Sequence, residues 1–462
     1  MSKILPPTNL FVFRRDLRIE DNTALNQALS TGLPVITAFI IDPRQFDPHP
    51  YRSEFSLRFL KESLMELAQA LELAAGKLQI WRGIAEDLIP ELLKTYNCKA
   101  LFFNRDYTPF SRLRDGRIEE RARAMGVEFH GTDDALINAP QIVTKDDRKP
   151  YTIFTPFYKK ALKLTAPVPE NRPAGTFYAQ KLADTVAVES LLHGLAPLHA
   201  ESSPGGRNAA LKILENLGQY SRYNEDRNIP SVPGTTRLGP HHKFGTISIR
   251  ESLARSTSLF GRDSALVREL YWRDFFTQIA FNFPHVFERS FNAPYDRVEW
   301  HDNPDLFSAW CAGETGFPLV DAGMRELNET GFMHNRVRMV VASFLTKDLH
   351  LHWQLGERYF AQKLVDYDPA VNNGSWQWAA STGCDAQPYF RIFNPWLQQQ
   401  RFEPECLYIK KWVPELRELS AKEIHGLAEK RPLFIKNYPT PVVEHSREKR
   451  ITEEMFQKAL GK

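Results

Sequence analysis

The chain has 462 residues, of which 42% are hydrophobic and 25% charged, and its 59 Lys and Arg against 56 Asp and Glu give a net charge of +3 at pH 7. This length exceeds what one compact core supports, so two or more domains are expected, and the composition excludes a disordered or fibrous chain. No run is long enough for a membrane span, and the start lacks a secretory signal pattern. The four cysteines are far apart and suit reduced thiols, so a cytoplasmic location without membrane attachment or a metal site is expected.

The first 135 residues alternate between short runs rich in Val, Ile and Phe and longer amphipathic stretches. The predicted strands are 10–13, 35–41, 78–81, 101–104 and 127–130, and the predicted helices are 22–30, 53–73, 85–95 and 111–125. This alternation predicts an α/β domain over residues 1–135, with a Rossmann-like five-stranded parallel sheet that can hold a ligand at its switch point. No GxGxxG motif follows the first strand, which argues against a standard dinucleotide site.

Charged residues follow the first predicted strand instead. They are Arg14, Arg15, Asp16, Arg18 and Asp21. Charges at the start of a helix are usually solvated, so this cluster is interpreted as a solvated helix start.

Residues 136–206 lose the alternating pattern because prolines interrupt it, although apolar residues persist. We therefore predict an inter-domain connector wrapped on the surface, with a short helix at 155–164. From 207 to 462 the apolar spacing is helical and predicts an all-α domain. The main predicted helices are 211–219, 248–259, 265–281, 305–311, 320–330, 333–349 and 356–364.

The stretch 366–395 carries no charge between Asp368 and Asp385, yet it holds Trp376 and Trp378 with several amides and small residues. An uncharged, aromatic, amide-rich segment is typical of a pocket wall for a large, flat molecule with polar edges. A buried, polar-capped helix junction is an equally weighted alternative.

Two further clusters allow two interpretations each. The turn 234–240 could cradle an anion with its backbone N–H groups and hydroxyls, although such turns are common. Glu269, Trp272 and Arg273 share one helical face, where they could bind a nucleobase-like partner. On spacing alone, a Glu–Arg helix pair beside a core tryptophan is favoured.

Residues 333–339 place Asn335 and Arg338 on one helical face and Arg336 on another. A buried arginine needs an acidic partner, for which Asp366 or Asp368 would serve. Arg336 would then point outward, towards a phosphate.

These segments, in this order, resemble the photolyase/cryptochrome flavoproteins, most closely the bacterial class I cyclobutane pyrimidine dimer DNA photolyases. The matching segments are RRDLRIEDN at 14–22, TTRL at 235–238, WRDF at 272–275, MHNRVRM at 333–339 and NNGSWQWAASTGCDAQPYFRIFNP at 372–395. The resemblance covers nearly the whole chain. It implies an α/β antenna-chromophore domain, the connector, and an all-α FAD- and DNA-binding domain over 207–462. It also implies a lyase in which light-driven electron transfer from FADH⁻ splits cyclobutane pyrimidine dimers in DNA.

The resemblance also implies roles for individual residues. The FAD-binding residues are Tyr223, Thr235, Thr236, Arg237, Leu238, Asn335, Arg338, Asp366, Asp368 and Asn372. The catalytic residues around the flavin and the flipped dimer are Glu269, Trp272, Asn335, Met339, Asn372 and Trp378. The DNA-contacting residues are Arg227, Glu269, Trp272, Arg273, Arg336, Trp378 and Arg391. The electron path to the surface is Trp376, Trp353 and Trp300, for which core packing is the plain alternative.

Departures from the family bear on the antenna and on competing functions. Phe110 and Ser111 stand where folate-binding members carry an Asn-Glu pair, which favours 8-hydroxy-5-deazaflavin over methenyltetrahydrofolate. Asn372, where plant cryptochromes have Asp, argues against a light sensor, and the single His334 argues against a (6-4) photolyase. A flavin-free nucleic-acid-binding module is the alternative of a different class. The expected partner is DNA containing cyclobutane pyrimidine dimers, and a monomer is expected.

Overall fold

A computed structural model describes residues 5–188, 199–429 and 437–461. Its N-terminal part holds a five-stranded parallel sheet in the order β3-β2-β1-β4-β5. The strands are β1 (Thr8–Phe13), β2 (Val35–Ile41), β3 (Leu78–Arg82), β4 (Cys98–Asn104) and β5 (Glu128–Thr132). The predicted Rossmann-like sheet is therefore confirmed, and its strand order reverses between β1 and β4.

Helices pack on both faces of this sheet because the longer ones each bury apolar side chains against it, whereas the four-residue α2 buries none. They are α1 (Thr23–Ser30), α2 (Pro43–Phe46), α3 (Glu54–Leu73), α4 (Ala85–Thr95) and α5 (Pro109–Ala124). Asn22, Ser53 and Thr108 cap α1, α3 and α5 by accepting backbone N–H groups of the first turn. The predicted bounds of these helices agree with the structure to within two residues.

The rest of the described chain is built from α-helices and short 3₁₀ turns, so the predicted all-α region is confirmed. The helices are α6 (Phe154–Ala161), α7 (Arg207–Glu215), α8 (Tyr223–Asp226), α9 (Gly239–Phe244), α10 (Ile249–Phe260), α11 (Ala265–Asn282), α12 (Pro304–Ala312), α13 (Pro318–Thr330), α14 (Asn335–Ser343), α15 (Trp353–Lys363), α16 (Pro369–Ala380), α17 (Pro395–Phe402), α18 (Leu407–Trp412), α19 (Ala421–His425) and α20 (His445–Ala459). Over the described ranges, no helix is both long and apolar enough to cross a bilayer.

The predicted helix 333–349 differs from the structure. The chain is helical only from Asn335, because the His334 side chain caps α14 by accepting from the Arg336 N–H. After Ser343 the backbone widens into one π-helical turn, Phe344–Asp348. Helix α20 packs on this turn, and Thr452 donates its hydroxyl hydrogen to the Lys347 carbonyl.

The segment before residue 188 runs along the outer side of the sheet. The Val35 N–H donates to Thr176 O at 2.8 Å, and the Tyr178 N–H donates to Val35 O at 2.9 Å. Further along, the Val186 N–H donates to Ile80 O at 2.9 Å. The Val186 bond lies on the open side of β3, and the Val35 bonds lie beside the first residue of β2, before its pairing with β3 begins at Thr37. Both are as expected for a connector that wraps on the surface. The limits 136–206 remain a prediction.

The interpretation of the charged cluster after β1 as solvated is wrong. Arg18 is 2% exposed and donates to Asp134 Oδ2 at 2.6 Å. Arg250 at the start of α10 donates to Asp21 Oδ1 at 2.8 Å and to Asp134 Oδ1 at 2.7 Å. These four residues form a buried interface network between the sheet region and the helical region. The local spacing could not predict it because the partners lie 116 to 229 positions apart.

A glycine allows the two regions to approach closely beside this network. Gly245 ends α9 in a left-handed conformation with φ of +64°, and a Cβ at this position would overlap the backbone oxygen of Arg15. The Leu17 N–H donates to Phe244 O at 3.0 Å across the same boundary. The interface is thus fixed by backbone contact as well as by ion pairs.

Candidate active site

One face of α16 forms the wall of a cavity of about 400 Å³. Apart from Trp378, the α16 positions that line it, together with the N-cap, are Asp368, Val371, Asn372, Ser375, Trp376 and Ala379. Their alternating spacing of three and one places them on one helical face. The predicted pocket wall is therefore confirmed for 366–379, whereas residues 380–395 of the same stretch do not line the cavity.

The opposite face of α16 accounts for the remaining amides in this stretch. Asn373 Nδ2 and Gln377 Nε2 each donate to Val286 O at 2.9 Å. The alternative prediction of a buried, polar helix junction therefore describes this face of α16, whose amide groups are all hydrogen-bonded. The other face of the helix lines the cavity.

An arginine–carboxylate pair lies at the inner end of the cavity. Arg338 on α14 binds Asp366 through both terminal nitrogens, at 3.2 and 3.0 Å, and its Nε donates to Met333 O at 2.7 Å. Of the two partners that the sequence left open, the structure selects Asp366. These three hydrogen bonds fix the planar guanidinium group of Arg338 in one orientation beside the cavity.

Asp368 has a different set of partners. Its side chain accepts the Ala370 and Val371 N–H groups as the N-cap of α16 and pairs with Arg15 from the sheet region. Burial alone would raise the pKa of Asp368, but the positive charges of Arg15, Lys243 and Arg273 outweigh it and lower the pKa to about 2. The cavity therefore contains a permanent carboxylate balanced by neighbouring cations.

Two indoles, a thioether and an acid line the part of the cavity formed by α11, α14 and the end of α16. They are Glu269, Trp272, Met339 and Trp378. Phe154 stacks on Trp272 with ring centroids 3.6 Å apart and an interplanar angle of 6°, which fixes the orientation of that indole. This arrangement provides flat apolar surfaces with one anionic group between them.

The predicted Glu269–Arg273 helix pair is wrong. Glu269 pairs with Arg227, which lies directly after α8, while Arg273 donates to the backbone oxygens of Ala135 and His242. Arg273 thus lies in the cavity wall with its donors directed at backbone carbonyls, and its predicted contact with DNA remains a prediction.

Arg336 lies near two other arginines, Arg227 and Arg401, and forms no salt bridge within the described residues. Arg336 donates to Asn228 Oδ1 at 2.7 Å and lies 4.3 Å from the centre of the Phe402 ring. Burial, with the charges of Arg227 and Arg401, lowers the pKa of Arg336. The three guanidinium groups repel one another, so an anion bound between them would be stabilised. Arg391 is exposed in the loop after α16.

The turn 235–238 does not line the cavity wall directly. Arg237 donates to Glu201 O at 3.0 Å and lies over the Phe332 ring, and Leu238 is buried. The residue that follows, Gly239, does line the cavity, and a Cβ there would come within 2.9 Å of Asp366 Oδ2. The predicted phosphate-binding role of this turn and of Tyr223 remains a prediction.

Of the three tryptophans predicted as an electron path, Trp376 lines the cavity and Trp353 and Trp300 do not. Trp376 is 2% exposed, and its Nε1 has no hydrogen-bond partner among the described residues. Trp353 is buried and Trp300 is half-buried. The centre of the His352 ring lies 5.7 Å from that of Trp353 and 5.5 Å from that of Trp300. The Trp376 ring itself contacts Phe360 at 4.9 Å. Core packing and a path to the surface are both compatible with this arrangement.

Known proteins share this sequence pattern and this arrangement. A family model described as DNA photolyase matches residues 9–174, and one described as the FAD binding domain of DNA photolyase matches residues 266–458. A deoxyribodipyrimidine photo-lyase from Vibrio cholerae is 37% identical, covering 97% of this chain and 99% of the relative. The chain belongs to the DNA photolyase family.

Solved structures of photolyases and cryptochromes share the fold. An archaeal photolyase from Sulfolobus tokodaii, solved with two FAD molecules, is 40% identical with a TM-score of 0.89, covering 98% of this chain and 100% of that one. A cryptochrome from Synechocystis is 28% identical with a TM-score of 0.89, and the match covers 98% of this chain and 100% of the cryptochrome chain. The fold is thus common to both branches of the photolyase family.

A second cavity of about 550 Å³ lies at the carboxyl ends of the strands in this photolyase. Phe39 and Phe103 line it, together with the arginines Arg14, Arg44 and Arg114. It lies where parallel sheets of this order bind ligands, as the predicted sheet suggested. The guanidinium of Arg14 lies 4.1 Å from the centre of the Phe103 ring.

The sequence analysis did not identify several residues of the first cavity, because only the folded structure brings them close to the other lining residues. Lys243 and Tyr367 line both cavities, and Glu357 contacts Asn372 from behind. Burial lowers the pKa of Lys243 to about 8. Lys243 lies three residues after the predicted anion-binding turn 234–240, which is the one local signal that could have identified it.

Proposed function

We propose that this protein is a deoxyribodipyrimidine photo-lyase, an FAD-dependent enzyme that uses light to return cyclobutane pyrimidine dimers in DNA to monomers. One observation carries the proposal. A single cavity joins an inner part of paired arginine, carboxylate and amide groups to an outer part of two indoles and a glutamate. The inner part suits a flavin and the outer part suits a stacked pair of pyrimidines.

The residues present fit FAD. Trp376 Nε1 lacks a partner in the cavity wall, and glycine at 239 leaves room beside Asp366. Arg338, Asp366, Asp368 and Asn372 would hold the ring system, and Tyr223 with Thr235, Thr236, Arg237 and Leu238 would hold the phosphates. When bound and reduced, FAD supplies the electron that light transfers to the dimer and that returns once the ring has opened.

The outer part of the cavity would receive the dimer after it leaves the DNA stack. A cyclobutane-linked pair stacks poorly, so extruding it costs less than extruding normal bases, a selectivity that photolyases share with other base-flipping enzymes. Trp272 and Trp378 would stack on the pyrimidines, with Met339 filling the apolar side. Asn335 and Glu269 would bind the polar edges, and Glu269, on taking up a proton, would donate a hydrogen bond that stabilises the negative charge developing on the dimer.

The arginines around the opening would position the DNA strand. Arg227, Arg336 and Arg391 would contact phosphates, while the cavity would recognise the lesion. Arg401 adds a fourth charge that the sequence analysis did not select. Because phosphate contacts release counterions, binding to dimer-bearing DNA is expected to weaken as salt rises.

The second cavity would hold an antenna chromophore. Its aromatic walls suit a flat ring system, and its arginines suit an anionic group. An 8-hydroxy-5-deazaflavin fits this chemistry and remains favoured over methenyltetrahydrofolate, since Phe110 and Ser111 occupy this wall. A second flavin is the alternative, because the Sulfolobus tokodaii relative was solved with two FAD molecules. The absorption spectrum of the purified protein distinguishes these chromophores.

The repair reaction itself tests the proposal. The reduced protein under blue light should restore thymines in an oligonucleotide that carries one dimer, measured by chromatography, with no reaction in the dark. Failure of repair despite bound, reduced FAD would indicate a light sensor of the cryptochrome type.

Glu269→Ala sharpens this test. Repair yield should fall about tenfold or more while FAD stays bound, since a polar group aimed at developing charge is lost. Glu72→Ala, an exposed position at the end of α3, serves as the control and should repair normally. Equal repair by both variants would remove Glu269 from the site. A cytoplasmic monomer remains the expectation for location and assembly, to be measured by fractionation and light scattering.

A further inference from the structure

One imidazole contacts both of the outer tryptophans. The His352 ring stacks on Trp353 with ring centres 5.7 Å apart and an interplanar angle of 28°. The same ring meets Trp300 at an interplanar angle of 66°, with centres 5.5 Å apart. Any charge that His352 carries therefore lies directly beside two indoles.

The inner end of this arrangement reaches the first cavity. Trp353 begins α15, and Gly356 lies one turn further along the same helix. A Cβ at Gly356 would overlap the Trp376 indole, so the glycine lets that ring pack directly on α15. Trp376 and Trp353 belong to one buried cluster, and Trp376 lines the cavity. A series of aromatic side chains thus starts at the cavity and, through Trp353 and His352, ends at half-buried Trp300.

His352 is neutral when it caps α15. Its Nδ1 accepts the Gln354 N–H at 3.2 Å, so the ring hydrogen is on Nε2. A second hydrogen, on Nδ1, would remove this acceptor. Burial lowers the pKa of His352 below its usual value of 6.5, and exposed Asp296 acts in the opposite direction. The ring is therefore neutral at neutral pH and becomes charged in acid.

Other titratable groups nearby are engaged elsewhere. The rings of His301 and His350 have centres 4.8 Å apart, and His350 Nδ1 lies 3.6 Å from a carboxylate oxygen of Glu448 on α20. Burial raises the pKa of Tyr295, which therefore stays neutral. Of these groups, His352 is the one whose ring contacts both indoles.

We propose that His352 is a positioning residue of the predicted electron path, which lets positive charge move outward from Trp376 onto Trp353 while it is neutral and holds that charge back when protonated. The inference rests on the proposed function, in which light reduces FAD in the first cavity. In that reduction Trp376 gives one electron to FAD, Trp353 replaces it, and Trp300 replaces the electron of Trp353. Trp376 and Trp353 each give and regain one electron, so one positive charge ends on Trp300. A dissolved thiol gives one electron to Trp300 and is itself oxidised.

Charge on His352 opposes this movement because positive charge then arises on a ring that His352 contacts. The Trp376 ring makes no contact with His352 within the described residues. Two unit charges about 5.5 Å apart near a protein surface repel strongly enough to change an equilibrium about 100-fold. His352 is half-buried, so solvent screens part of this repulsion, and an effect of about tenfold is expected.

The test measures how fast blue light reduces bound FAD, by the loss of flavin absorbance with a thiol present, from about pH 5 to pH 8. The wild type and the exposed control His199→Gln should become about tenfold slower at the acid end. His352→Asn keeps a side chain that caps α15 but cannot become charged, so its rate should stay high. His352→Arg is charged at every pH and should be slow throughout.

Nuclear magnetic resonance of protein with isotope-labelled histidine provides a second readout, taken in the dark. The His352 ring signal, identified by its absence from His352→Asn, should change with pH at the same midpoint as the rate of reduction. A change in rate without this agreement would indicate a different titrating group.

Three outcomes overturn the proposal: a wild-type rate that does not fall in acid, a fall that His352→Asn retains, or a His352 signal with a different midpoint. Failure of FAD to bind contradicts the proposed function and this inference together. Reduction of FAD by light without repair of DNA contradicts the proposed function alone.

Discussion

Two buried charge clusters in this protein follow opposite principles. In the interface network, Arg18 and Arg250 face Asp21 and Asp134, and the opposing charges lie within hydrogen-bond distance of each other. Burial would raise the pKa of Asp134, but Arg18 and Arg250 outweigh it and hold the pKa far below its usual range. This network stays charged because each ion is paired.

The second cluster, on the π-helical turn, is poorly paired. Lys347 Nζ donates to Ala380 O at 3.0 Å and lies 3.6 Å from the centre of the Phe456 ring, and burial lowers the pKa of Lys347 well below its usual value. Asp348 Oδ1 lies 2.5 Å from His445 Nδ1, and burial raises the pKa of Asp348 to about 6. Buried side chains therefore stay charged where each has a full set of oppositely charged partners, as in the interface network. They shift towards their neutral forms where such partners are missing, as at Lys347 and Asp348.

Of the changes considered, breaking the interface network should have the largest effect on the free energy of unfolding. Arg250→Ala leaves Asp21 and part of Asp134 buried without their cation, which is expected to lower the free energy of unfolding by about 3–5 kcal/mol. Denaturant unfolding measures this loss. Arg255→Ala lies exposed on the same helix and should change stability by about 0.5 kcal/mol or less. Similar values for both variants would contradict the comparison.

Titration of Asp348 should have the next largest effect. In the folded protein the pKa of Asp348 is about 6, above its usual value of 3.8. The stabilisation from its bound proton is therefore complete below the unfolded pKa and is lost as pH rises through the folded pKa. The wild type should therefore lose about 3 kcal/mol of stability between roughly pH 4 and pH 7 from this group. Asp348→Asn cannot lose a proton, so its stability relative to the wild type should rise over that range. Parallel stability curves for the two proteins would show that Asp348 is already ionised.

Replacing Lys347 should have the smallest effect. Lys347→Met keeps a flexible side chain of similar length and leaves one neutral carbonyl, that of Ala380, without its donor. The free energy of unfolding should change by about 1 kcal/mol or less, measured by the same denaturant unfolding. A loss as large as that of Arg250→Ala would mean that Lys347 is charged and paired in the folded protein.

Local pattern was sufficient to predict the sheet and most helices. The stripe of Phe59, Leu60 and Leu64 on α3 is readable from spacing alone, and these residues are buried as expected. The uncharged stretch around Trp376 likewise indicated a pocket wall without any structural information. Such features depend on residues three or four positions apart.

The errors concern residues whose partners are distant in sequence. The cluster at Arg18 resembles a solvated helix start until Asp134 and Arg250 fold against it. Glu269 has Arg273 four positions away, yet it binds Arg227 from another helix. The choice of Asp366 rather than Asp368 for Arg338 also required the fold, because both carboxylates lie close in sequence and only their backbone geometry separates them.

The strip of chain along β3 has a consequence for behaviour at high concentration. An uncovered outer strand presents free N–H and C=O groups, which act as a template for a strand of another molecule. The bond from Val186 to Ile80 occupies part of that template on β3, and the bond from Tyr178 to Val35 covers the start of β2, which extends beyond β3. The same segment that joins the two halves therefore also protects the sheet against edge-to-edge association, so cutting it by proteolysis should expose an aggregation-prone strand even before either half unfolds.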